Sequence, residues 1–150
     1  MSGIVVGVDR SKHAVDALRW AIEEAARRGC PITVVHVWES HCVYEDCRGD
    51  VAMALDEESR RRADHLPEEL LYTVLGDRQR PRELASTTCA GNPGRMLTEI
   101  AADADLLVVG ALERGLFRHL ISGSVARHVA RHARCPVTVV PSWAEVLVPG

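Results

Sequence analysis

Apolar residues recur along this chain in two rhythms, one of strands and one of helices. Ile4 to Val8, IVVGV, is a short run rich in β-branched residues, too short for a helix, and reads as a buried strand. Asp9-Arg10-Ser11 breaks the run, and Ser11 is placed to cap a helix. From Ala14 the small and apolar residues fall at positions 14, 17, 18, 21, 22 and 25, which is one face of that helix. Lys12, Asp16, Arg19, Glu23 and Arg27 lie off that face. Gly29 ends the helix and Pro31 bars its return. The segment PITVVHVW then supplies a second strand, apolar over nearly its whole length.

The second half of the chain repeats the same grammar. Asn92-Pro93 forms an N-cap and first-turn pair, and Met96, Leu97, Ile100 and Ala101 supply a helix face. DLLVVG is a strand, a glycine-containing loop comes next, and Ser124 to Arg134 is a helix leading into a last strand, CPVTVVP. The third strand has the weakest signature, and ELASTTC, Glu83 to Cys89, fits it best. One or two irregular charged helices are expected in 51–75, and Glu39 to Asp50 reads as a surface loop. Strands that alternate with helices and stay apolar along their length predict an α/β fold. Its parallel sheet is open and covered by helices on both faces.

Composition narrows the function classes. At 150 residues the chain has the size of one domain, and 47% hydrophobic with 26% charged residues is a globular balance. Eighteen basic residues against 21 acidic ones give a net charge of −3, so no global charge draws it to nucleic acid or an anionic membrane. No apolar stretch approaches the roughly 20 residues that span a bilayer. The start, MSGIVVGVDR, lacks the features of a signal peptide, so a cytoplasmic location is expected. Five cysteines do not suggest a disulfide framework. Cys30, Cys89 and Cys135 read as small buried hydrophobes. His41, Cys42 and Cys47 match no standard zinc spacing, and no metal site is expected there.

In an open α/β sheet, ligands bind beyond the carboxyl ends of the strands, where the strand order reverses. The first strand ends at Val8-Asp9, the second at Val37, and the fourth at Val109-Gly110. Asp9 can accept hydrogen bonds from a base or ribose, or act as a plain turn residue. Gly110 lets backbone approach a ligand closely. Gly123-Ser124, with Val125 after it, opens the last long helix, where free amides and the positive helix end favour an anion. Ser124 can serve as an N-cap or donate its hydroxyl to a phosphate. No nucleophile–base pair is placed by motif and the loop lacks a Walker lysine, so no catalytic residues are assigned. At most a weak ATPase is conceivable. His119, His128 and His132 qualify by residue type alone. The last two, four apart, can bind a metal on one helix face or belong to a solvated basic face with Arg127 and Arg131.

IVVGVDRSKHAVDALRWAIEEAARRGCPITVVHVW resembles the N-terminal half of the universal stress protein family. NPGRMLTEIAADADLLVVGALERGLFRHLISGSVARHVARHARCPVTVV resembles its C-terminal half. The resemblance implies a single Rossmann-like domain over 1–150, with 39–82 divergent and 142–150 a tail. It also implies a five-stranded sheet in order 3-2-1-4-5 and a homodimer paired through the last strand, Val137, Thr138, Val139 and Val140.

One branch of the family binds ATP through glycine, two residues, glycine, nine residues, then Gly-Ser or Gly-Thr. Gly110, Gly123 and Ser124 match, and Glu113 stands where the second glycine would be. By the same resemblance Asp9 would sit at the nucleoside and Val37 would offer its backbone to adenine. ATP or another adenine nucleotide is then the implied ligand, with magnesium only as a companion of its phosphates. Arg10 departs from the small residue common after the aspartate.

Glu113 bears on that reading in two ways. If its backbone needs φ > 0, the cost is on the order of 1 kcal/mol. If its carboxylate faces a phosphate charge at about 5 Å, repulsion is about 3 kcal/mol at an effective dielectric near 20. Two expectations therefore stand. One is a stress-response protein with an adenine-nucleotide crevice and altered phosphate binding. The other is a nucleotide-free dimeric interaction module whose phosphate position is blocked by Glu113.

Overall fold

A computed structural model describes residues 2–39, 50–111 and 124–141, with backbone alone over 50–55. The described residues form, in chain order, β1 (Ile4–Val8), α1 (His13–Arg28), β2 (Ile32–Trp38), α2 (Asp50–Leu75), β3 (Leu84–Ala90), α3 (Pro93–Ile100), β4 (Leu106–Gly110), α4 (Ser124–His132) and β5 (Val137–Val140). The five strands form one sheet in the order β3-β2-β1-β4-β5, with every pairing parallel. The alternation of strands and helices predicts the parallel sheet, and its strand order is the one the family resemblance implies.

The sheet divides the core in two. Ile4, Val6 and Val8 face Ala14, Ala17, Leu18 and Ala21 of α1, with Leu66, Leu70 and Leu71 of α2 beside them. Val5, Val35, Val37, Leu107 and Val109 face Leu97 of α3 and Ala126 and Val129 of α4. The central strands β1, β2 and β4 are therefore apolar on both sides, and each fully buried Val or Leu contributes about 1.5–3 kcal/mol. The small alanines of α1 let that helix lie close against the sheet.

Four details refine or correct the sequence expectation. Ser11 does not cap α1: the N-cap is Lys12, with no side-chain cap bond, because the Ser11 hydroxyl is bound to Asp9. The third strand lies one residue later than expected, at Leu84–Ala90. The 51–75 region is one continuous helix that runs through Pro67. Proline at that position leaves the Ala63 carbonyl without its usual helical N–H donor.

The fourth difference concerns the cysteines. Cys30, Cys89 and Cys135 are free and only half-buried. Cys89 lies on the outermost strand β3, and Cys135 just before β5 at the opposite edge, where neither strand is covered as the central ones are. Partial burial still pushes the Cys89 and Cys135 thiols up. His41, Cys42, Cys47, His119 and the 142–150 tail lie outside the described residues. Among the described residues no helix is long and apolar enough to cross a membrane.

Candidate functional site

The sheet order reverses between β1 and β4, and their connections leave in opposite directions. β1 passes to α1 on one face, and β4 passes towards α4 on the other. The gap that opens above their carboxyl ends is a cleft of about 200 Å³. Val8, Asp9, Val37, Val109, Gly110, Ser124 and Val125 line it, joined by Gly7, Ser11, Ala14, Pro93, Leu97 and Ala126. Position in the fold explains this convergence, since each predicted residue ends a strand or begins a helix. Glu113 and Gly123, the remaining candidates, lie outside the described residues.

Asp9 is held by its own turn. The Ser11 backbone N–H donates to Oδ1 at 2.8 Å, and the Ser11 hydroxyl donates to the same oxygen at 2.5 Å. This is the Asx-turn geometry by which an aspartate directs the backbone out of a strand. Both bonds use Oδ1, and Oδ2 is the carboxylate's second acceptor. The turn role and the ligand role are thus compatible in one residue.

Arg10 faces elsewhere. Its Nη2 donates to the Arg62 carbonyl of α2 at 2.9 Å, and its Nη1 lies 3.9 Å from Glu69. The accepting carbonyl sits next to the one that Pro67 deprives of a helical donor. The guanidinium thereby ties the end of β1 to α2 and adds no positive charge to the cleft lining.

Gly110 has a different reason for being glycine from the one its position suggests. A Cβ there would lie 2.9 Å from the His13 carbonyl oxygen and 3.1 Å from its carbonyl carbon. The close approach is to the first turn of α1, and it sets how tightly that helix seats against the end of β4.

Two buried histidines escaped the sequence reading. His36 of β2 is paired in register with Val8, and its Nδ1 donates to the Val8 carbonyl at 2.9 Å. A carbonyl only accepts, so Nδ1 carries the proton. The imidazole thereby fixes the last carbonyl of β1 at the cleft edge. His13 is buried as well, and its Nδ1 has no hydrogen-bond partner among the described residues. The only sequence signal for either was a histidine in an otherwise apolar or small-residue context. Among the described residues no group of three or more His, Cys, Asp or Glu side chains could hold a metal ion.

The sequence model of the universal stress protein family matches residues 1–141. The chain belongs to this family. Among curated universal stress proteins, Rv2624c of Mycobacterium tuberculosis is 34% identical over 97% of this chain and 50% of its own length. Universal stress protein Mb2028c of Mycobacterium bovis is 30% identical, again over 97% of this chain and 50% of its own. This chain therefore spans about half the length of the curated universal stress proteins it matches. Among solved structures, universal stress protein UspA from Lactobacillus plantarum superposes with a TM-score of 0.75 at 23% identity, over 93% of this chain and 97% of that one. The universal stress protein from Archaeoglobus fulgidus in complex with dAMP superposes with a TM-score of 0.61 at 26% identity, over 93% and 98%.

Proposed function

We propose that this universal stress protein binds an adenine nucleotide in the cleft between β1 and β4 and acts as a stress-response regulator. The observation that carries the reading is the convergence of Asp9, Val37, Gly110 and the start of α4 on one cleft. Val8, Val37, Leu97, Val109 and Val125 give apolar walls for a base. The Asp9 carboxylate accepts from ribose hydroxyls. The first turn of α4 at Ser124 offers unpaired amides and the positive helix end to phosphate. The Archaeoglobus fulgidus relative in complex with dAMP supports the ligand class. Any magnesium arrives with the phosphates.

In this reading the protein is cytoplasmic and pairs with a second copy through β5. Val137, Thr138 and Val139 are only half-buried and lie on a sheet edge, which leaves that strand able to accept a partner. Titration calorimetry with ATP, ADP, AMP and cyclic AMP tests the ligand. Saturable binding of at least one is expected, and no heat from any of them at millimolar concentration rules the reading out.

One observation favours the nucleotide-free interaction module as a second reading. The cleft volume of about 200 Å³ lies below the roughly 300–1,000 Å³ usual for small-molecule sites. Under that reading Glu113 occupies the phosphate position, and its replacement does not create nucleotide binding.

A further inference from the structure

Away from the cleft walls, α4 carries a second group of side chains with ligand chemistry. His128 and His132 lie one helical turn apart, with ring centroids 4.5 Å apart and planes tilted by 43°. His128 is half-buried and His132 exposed. His128 is seated against α3, where a Cβ on Gly94 would come within 2.8 Å of its Cβ and 2.9 Å of its Cγ. Glycine at 94 is what lets the imidazole lie in this seam, and the seam restricts it. Among the described residues neither ring has a hydrogen-bond partner.

The spacing of the rings fits metal chelation. Imidazole nitrogens bind first-row metals at about 2.0–2.1 Å, which puts the metal about 3.2 Å from each ring centroid. Rings whose centroids lie 4.5 Å apart are close enough to share one such ion. Among divalent first-row ions, imidazole ligands hold Cu²⁺ most tightly.

Charge acts in both directions at this pair. His132 is the last residue of α4, where the helix dipole stabilises a cation. Arg131, three residues after His128, is its neighbour on the helix surface, and its positive charge opposes a bound cation.

We propose that His128 and His132 form a bidentate site for a divalent transition-metal ion, Cu²⁺ ahead of Ni²⁺ and Zn²⁺. Water completes the coordination. The ion restrains the last turns of α4, whose first turn at Ser124 to Ala126 borders the cleft. The site is independent of whether that cleft takes a nucleotide.

The test uses the full chain and Cu²⁺–iminodiacetate, whose chelator fills three positions and leaves two cis positions for protein ligands. Electron paramagnetic resonance during titration reads both stoichiometry and the number of coordinated protein nitrogens. One equivalent bound through two nitrogens is expected. His132→Ala, a change at an exposed position, should weaken binding by at least about tenfold. His128→Ala should do the same, with circular dichroism checking that α4 remains folded. Equal affinity in the parent and His132→Ala, a one-nitrogen signal, or coordination through cysteine sulfur would each overturn the site.

Discussion

Gly110→Ala isolates the contact that seats α1 against the end of β4. The added methyl would lie 2.9 Å from the His13 carbonyl oxygen and 3.1 Å from both its carbonyl carbon and its Cβ. Two of these atoms are backbone, so the strain cannot be relieved by rotating a flexible side chain. The start of α1 or the end of β4 must move by a few tenths of an ångström. Overpacking of this kind costs about 1–3 kcal/mol. Replacing glycine also restricts the unfolded chain, which returns about 0.4–1 kcal/mol. Since Gly110 has no positive φ, no backbone penalty is added, and the net loss is between about 0 and about 2.6 kcal/mol. For a chain of this size that lowers Tm by up to about 10 °C. Urea denaturation monitored by circular dichroism measures it, with an unchanged m-value expected. A variant more stable than the parent would refute the account of why this residue is glycine.

Asp9→Ala removes the acceptor of both Ser11 bonds and should cost about 0.5–2 kcal/mol, the range for a lost capping-type acceptor. Asp9→Asn keeps an acceptor oxygen and should retain most of that stability, while losing affinity for a ribose-bearing ligand; equal losses in urea denaturation would contradict the turn role. Glu113→Gln should raise ATP affinity more than adenosine affinity, because only the phosphates feel the removed charge; equal changes by calorimetry would remove Glu113 from the phosphate position. Glu68 concerns pH dependence. Its hydrogen bond to Arg80, at 2.6 Å, holds the Glu68 carboxyl below its ordinary value of 4.5. A depressed folded pKa stabilises the fold above that ordinary value, and the contribution disappears as pH falls through the lowered folded value. Both side chains are about half exposed, so Glu68→Gln should cost less than about 1 kcal/mol at neutral pH. That difference should vanish in acid, and one that grew there would contradict the assignment.

How legible each element was in the sequence depends on which of its interactions are local. β1, β2 and β4 are buried on both faces, so their apolar runs announced them directly. β3 is an outer strand whose Ala85, Ser86 and Thr87 are exposed. Polar bonds, such as Thr88 Oγ1 to Asp64 at 2.6 Å, join it to α2, and its pattern was correspondingly faint. The length of α2 was hidden by Pro67, which local propensity counts against a helix but which tertiary packing of Leu66, Leu70 and Leu71 overrides.

The cleft was legible because its residues sit at strand ends and a helix start, positions that the chain order itself reveals. The roles of His36 and His13 were not. His36 acts through its register partner Val8, and His13 through the approach of Gly110. Both relations join segments far apart in the chain and exist only once the sheet is assembled.

The central claim is that an adenine nucleotide occupies the cleft between β1 and β4. A two-dimensional amide nuclear magnetic resonance titration with AMP tests it most directly. Concentration-dependent shifts are predicted for Gly7 to Asp9, Val37, Val109, Gly110 and Ser124 to Ala126. Unchanged spectra at millimolar AMP, or shifts confined to residues outside this set, would contradict it.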